Sequence, residues 1–136
     1  MEANKTQTEQ LTQDAVMQSV MKNQVRIGNF VDFNGGIETV YAIRNSGVDF
    51  YRGKTKNSVI MQSYVWKSIK PIPLTEEWLL NFGYDLISEN HFGVLGHLIW
   101  KIEGRFYCDK NGIQLKYVHQ LQNLHFALTQ RELTVA

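Results

Sequence analysis

Aromatic and basic side chains lie close together in one stretch of this sequence, between positions 44 and 70. Phe50, Tyr51 and Arg52 precede two lysines in a loop of glycine, threonine and asparagine. Rings that stack on bases beside cations that neutralise phosphate are typical of single-strand or RNA recognition on a small sheet. The same composition is also typical of a solvated turn. The candidate partner-binding or nucleic-acid-binding residues of this basic patch are Arg44, Phe50, Tyr51, Arg52, Lys54, Lys56, Lys67 and Lys70.

The histidines and the single cysteine show no catalytic or metal-binding spacing. His91, His97, His119 and His125 lack the His-Glu-x-x-His pattern, and Cys108 has no second thiol. We expect His125 to be a hydrogen-bonded core histidine, and His119 to lie on a different helix face, at the surface or an interface. We expect Cys108 to be a small core side chain. No motif predicts a metal, a cofactor or a catalytic residue, and we expect a protein that is not an enzyme.

Length and charge exclude several classes of protein. The chain has 136 residues, and 14 basic against 13 acidic side chains give a net charge of +1. Because this net charge is close to zero, the protein has no overall electrostatic field that would attract it to nucleic acid or to a membrane. Its apolar runs are far below the ~20 residues of a membrane helix. Residues 1–10 have no apolar core after a basic start, so we do not expect them to act as a secretory signal. We therefore expect a cytoplasmic protein with no membrane partner.

The first 24 residues are expected to form a leader with a short amphipathic helix. Val16, Met17, Val20 and Met21 fall within one helical stripe. This stripe either docks on the protein's own domain or binds a partner helix. We expect residues 25–136 to form one domain.

Residues 25–69 are predicted to form antiparallel strands. Apolar side chains alternate from Val25 through Ile27, Val31 and Phe33, and the Asn-Gly-Gly sequence at 34–36 predicts a tight hairpin turn. Further strands are expected at 48–52 and within 59–69. The pattern favours a small, strongly curved antiparallel sheet or an SH3-like barrel.

The second half combines helices and strands. The prolines at 71 and 73 end strand pairing, and Thr75 is a suitable N-cap for a short central helix that Gly83 can close. Strands are expected at about 93–102, 105–108 and 113–117. A C-terminal helix is predicted from the spacing of Val118, Leu121, Leu124 and Leu128. The expected fold class is α+β with N-terminal, central and C-terminal helices.

Three segments together resemble a family of small proteins encoded by bacteriophages, prophages and other mobile elements. They read RIGNFV at 26–31, IKPIPLTEEWLLNFG at 69–83 and YVHQLQNLHFALT at 117–129. The resemblance covers roughly residues 25–135 and supplies no catalytic residues. The family pattern continues with glycine after the last segment, where this chain has Gln130. The resemblance implies a protein that works inside a bacterium.

The leading hypothesis is a non-catalytic counter-defence inhibitor, anti-CRISPR-like, that binds a host protein or ribonucleoprotein complex such as a nuclease. Its RNA contact would use the basic patch. The alternatives are a virion or assembly structural protein, and a small RNA-binding or single-strand-binding module. An enzyme or a small-molecule sequestering protein would need a pocket. The sequence leaves the oligomeric state open.

Overall fold

The computed structural model describes residues 13, 15–52, 60–94, 97–108 and 112–135, with only the backbone described at 52 and 60–65. The chain divides into two compact units, Met1–Pro71 and Ile72–Ala136. Among the described residues, each unit holds one five-stranded antiparallel sheet and at least one helix. The predicted α+β class is confirmed. The expected single domain over 25–136 stays a prediction, which cooperative unfolding would test.

The first unit begins with helix α1, which includes residues 15–24. Its strands are β1 Phe30–Phe33, β2 Gly36–Ile43, β3 Gly47–Arg52, β4 Ile60–Val65 and β5 Ile69–Lys70, with a 3-10 turn at Trp66–Ser68. The strand order is β4-β3-β2-β1-β5. These described strands form an open sheet, so the alternative of a closed SH3-like barrel is wrong.

The hairpin between β1 and β2 forms where the sequence predicts it. Asn34 and Gly35 have φ values of 52° and 84°, which a two-residue hairpin turn requires. The carboxylate of Asp32 accepts the Gly35 N–H at 2.8 Å and fixes the turn. Strand β1 starts later than expected. Val25 and Ile27 precede it, in a turn where the Asn29 side chain accepts the Arg26 N–H at 2.7 Å.

A buried apolar cluster of the first unit joins α1 to one face of its sheet. α1 contributes Met21, which has 0% exposure. The buried cluster consists of Met21, Val25, Val31, Val40, Val48, Phe50, Trp66 and Ile69, with Phe33 packed against it. α1 is therefore docked on its own unit through Met21.

The second unit contains helix α2 Glu76–Asn81, strands β6 Asp85–Ser88, β7 His91–Val94, β8 His97–Ile102, β9 Arg105–Tyr107 and β10 Gln114–Leu115, and helix α3 Val118–Thr129. The strand order is β10-β9-β8-β7-β6. The predicted strand over 93–102 is wrong because this segment belongs to two paired strands, β7 and β8.

Local signals locate the helices of the second unit. The Thr75 hydroxyl accepts the Trp78 N–H at 3.3 Å, which confirms the predicted N-cap of α2. α3 buries Val118, Leu121 and His125, whereas Leu128 is 57% exposed. No helix within the described ranges is long and apolar enough to span a membrane.

Candidate functional site

Phe50 belongs to the core of the first unit and not to a binding surface. Its side chain has 0% exposure, and its ring centroid lies 5.3 Å from that of Phe33. It cannot stack on a base, so its assignment to the basic patch is wrong. Tyr51, the next residue, is half-buried and meets the exposed Tyr41 edge-to-face at 5.0 Å.

Arg44 is exposed but carries an ion pair. Its Nη2 atom lies 2.7 Å from the carboxylate of Asp49, a residue that is 4% exposed. The hydrogen bond to Asp49 and the attraction of that charge raise the pKa of Arg44. Part of the positive charge of Arg44 is thus neutralised inside the unit. The side chain of Arg52 and the residues Lys54 and Lys56 lie outside the described residues, and their roles stay predictions.

The fold brings Lys67 and Lys70 to one pocket of about 340 Å³ in the first unit. Both lysines are exposed. Strand β5 pairs with β1, so Lys70 stands opposite Asp32. The lining residues are Asp32, Phe33, Asn34, Gly35, Lys67, Ser68 and Lys70. The pocket therefore lies between the β1–β2 turn and the residues around β5.

The candidate partner residues of α1 have different environments. Met21 is fully buried in the core and unavailable to a partner. Val20 is half-buried, whereas Val16 and Met17 are 57% and 37% exposed. Only the first part of the predicted stripe is therefore accessible.

A cluster of two histidines and a tyrosine lies inside the second unit. The Tyr84 hydroxyl and His97 Nε2 are 2.7 Å apart, and the rings of His97 and His125 are 5.3 Å apart. His125 is buried, as predicted. The expected hydrogen bond is not seen at its Nδ1 atom, which has no partner among the described residues, and its ring contacts that of His97 instead. Sequence inspection missed this cluster. Its members come from three separate segments: Tyr84 follows α2, His97 lies on β8 and His125 lies on α3. No spacing along the sequence therefore indicates the cluster.

Burial favours the neutral form of every member of this cluster. It raises the pKa of Tyr84 and lowers that of His97, which neighbouring His125 lowers further. Burial also lowers the pKa of His125, against a smaller opposing effect of Glu132. Tyr84 is 2% exposed, so a substrate has no access to it. The cluster therefore fits a packing role better than a catalytic one.

Two further sequence predictions need correction. His119 is not at the surface: it has 0% exposure and stacks on Tyr117 with ring centroids 5.7 Å apart. Burial lowers the pKa of His119 to about 4. Cys108 is half-buried and therefore not a core side chain. Across the described part of the chain, no group of three or more His, Cys, Asp or Glu residues has a geometry that could hold a metal ion.

The second sheet exposes apolar side chains on the face opposite its buried Ile99. Ile87, Leu98 and Ile102 are 61%, 43% and 41% exposed. A β-carbon built on Gly93 would clash with Ile87 Cδ1 and lie 3.1 Å from Leu98 Cδ2, so Gly93 lets both side chains approach each other. We call Ile87, Leu98, Trp100 and Ile102 the apolar strip.

The chain matches no protein-family model, no curated protein and no solved structure.

Proposed function

We propose that this protein is a non-catalytic phage or mobile-element protein that binds and inhibits a host nuclease or ribonucleoprotein complex in the bacterial cytoplasm. An anti-CRISPR-like inhibitor is its concrete form. The observation that carries the proposal is the apolar strip of the second sheet. The resemblance of the three segments to mobile-element proteins supplies the biological setting.

The apolar strip has the composition of the centre of a protein interface. Leu98, Trp100 and Ile102 alternate along β8 and therefore share one face of the sheet. Such interface centres are depleted in charge and enriched in aromatic residues, and Trp is frequent among their dominant contacts. Covering the exposed part of each aliphatic side chain would contribute about 1 kcal/mol. These features support binding to a protein component of the complex.

The test is an affinity purification of the tagged protein from phage-infected host lysate, with and without RNase. We expect a host nuclease complex in stoichiometric amount, and inhibition of that purified nuclease by the purified protein. The variant L98S/I102S should lose both binding and inhibition. The matched control, I113S/L128S, removes two exposed apolar side chains outside the strip and should retain both.

Two outcomes contradict the proposal. Retention of capsid, tail or portal proteins alone would favour the structural alternative. Equal nuclease binding and inhibition by L98S/I102S and I113S/L128S would show that the apolar strip is not the contact surface.

A further inference from the structure

The pocket of the first unit gathers four side chains that donate hydrogen bonds. These are the ammonium groups of Lys67 and Lys70, the amide of Asn34 and the hydroxyl of Ser68. Within the described ranges, none of the four has a hydrogen-bond or ion-pair partner. Ser68 is half-buried, and the other three are exposed. Free donors of this kind are complementary to a ligand that accepts several hydrogen bonds.

The charge of the pocket favours an anion. Two lysines and one aspartate give its lining a formal charge of +1. The aspartate, Asp32, already accepts the Gly35 N–H through its carboxylate at 2.8 Å, and this bond holds the turn that presents Asn34. A lysine ammonium binds phosphate as a point charge, and an uncharged amide or hydroxyl donor adds a hydrogen bond to the charged phosphate oxygen.

We propose that this pocket binds a phosphate group, either the backbone phosphate of single-stranded RNA or a free phosphate. Its volume of about 340 Å³ lies in the range of small-molecule sites. The two non-bridging oxygens of an RNA phosphate, or the oxygens of a free phosphate, can accept hydrogen bonds from the two ammonium groups and from Asn34 or Ser68. The inference goes beyond the proposed function because it concerns a different surface, in the other unit, from the apolar strip.

The geometry of the sheet supports the RNA source. In the register of β5, β1, β2 and β3, Lys70 and Tyr51 lie on the same face of the sheet. Tyr51 and Tyr41 form a ring pair on that face. Three strand spacings of about 4.8 Å separate Lys70 from Tyr51 across the sheet, so a chain of nucleotides held at the pocket could reach the rings. Phe30 and Thr39, which lie between Lys70 and Tyr51 on this face, are 4% and 3% exposed, so this part of the face is covered and the RNA chain would pass around it to reach the tyrosine pair.

The experiment uses the purified full chain and a fluorescein-labelled single-stranded RNA of eight nucleotides. Fluorescence anisotropy is measured over a range of KCl concentrations, and inorganic phosphate is then titrated as a competitor. The test variant is K67Q/K70Q. The matched control, K22Q/K116Q, removes two other exposed lysines and the same charge. Circular dichroism confirms that both variants are folded.

We expect K67Q/K70Q to bind RNA at least tenfold more weakly than K22Q/K116Q at low salt. The plot of the logarithm of the association constant against the logarithm of the KCl concentration has a negative slope. Its magnitude should decrease by about 0.7 for each phosphate contact that is lost. The variant N34G keeps the positive φ but loses the amide, and we expect about a fivefold loss, equivalent to one net hydrogen bond. If the RNA does not bind, phosphate is titrated into the protein by isothermal titration calorimetry, and phosphate binding that K67Q/K70Q abolishes would assign the pocket to free phosphate.

The proposal is overturned if K67Q/K70Q and K22Q/K116Q bind RNA and phosphate equally, or if the wild-type protein binds neither. Because these measurements use no host protein, their failure leaves the nuclease assay of the apolar strip unaffected. Failure of that assay likewise leaves the phosphate measurement valid.

Discussion

Gln130 ends helix α3 in a backbone conformation that glycine adopts at lower cost. Its φ and ψ are 62° and 21°, and its N–H donates to the Phe126 carbonyl at 2.8 Å. The left-handed conformation costs a residue with a β-carbon roughly 1–2 kcal/mol. Glycine avoids this cost but gains freedom in the unfolded chain, which offsets about 0.4–1 kcal/mol. We therefore expect Q130G to raise the free energy of unfolding by about 0.5–1 kcal/mol.

This substitution removes no described side-chain contact, since Gln130 is exposed. Glycine is also the residue that the resembling family has at this position. The assay is urea denaturation followed by tryptophan fluorescence in a W66F background, where the signal comes from Trp78 and Trp100 of the second unit. With a slope of about 2 kcal/mol per molar urea, the midpoint should rise by about 0.3–0.5 M at constant slope.

The control is Q130A, which keeps the β-carbon and therefore the cost of the left-handed conformation. We expect its midpoint to equal that of the wild-type protein within error. If Q130G is no more stable than Q130A, the helix end does not carry the strain assigned to it, and the reasoning is refuted.

Three further predictions concern stability. Because burial lowers the pKa of His119 to about 4 from 6.5, the unfolded state binds more protons between these values. Stability should be complete above pH 6.5 and fall by up to about 3 kcal/mol towards pH 4, as urea denaturation at several pH values would show; a His119 ring that titrates near pH 6.5 in NMR would contradict this. F50A should cost about 3–5 kcal/mol of unfolding free energy, and a loss below about 1 kcal/mol would place Phe50 outside the core. T75A should cost about 1 kcal/mol in thermal or urea unfolding, whereas T75S should retain the cap and the stability.

Features of the fold that depend on a few neighbouring residues could be predicted from the sequence. The hairpin turn follows from the preference of Asn34 and Gly35 for positive φ. The start of α2 follows from the Thr75 side chain, whose acceptor oxygen lies within reach of the Trp78 N–H. In both cases the stabilising bond is local, so no knowledge of the rest of the chain is needed.

The face on which a strand residue lies could not be predicted in the same way. Alternation places Phe50 and Tyr51 on opposite faces of β3, so the two could never have shared one binding surface. Which of them enters the core depends on the pairing of β3 with β2, where Phe50 stands opposite the buried Val40. A shift of one residue in this register would reverse the two roles.

The buried face of helix α3 likewise could not be predicted in full from the helical spacing of its apolar side chains. His119 lies directly after Val118, and both have 0% exposure, so the buried face is wider than the apolar residues alone predict. The polar Gln122, at 1% exposure, belongs to this face as well. Leu128 belongs to the predicted stripe by spacing, yet it is exposed, one residue before the last residue of the helix.

The pocket that we propose as a phosphate site forms through the order of the strands in the sheet and not through a local sequence pattern. Lys67 and Lys70 stand out in the sequence by charge, and Asn34 stands out as a turn residue, but nothing links them along the chain. They meet because β5 pairs with β1 at one edge of the sheet, on the side away from β3 and β4. A pairing of β5 with β4 would have left Asn34 far from both lysines. The same side chains would then have been solvated surface groups, and the sequence alone does not distinguish these two arrangements.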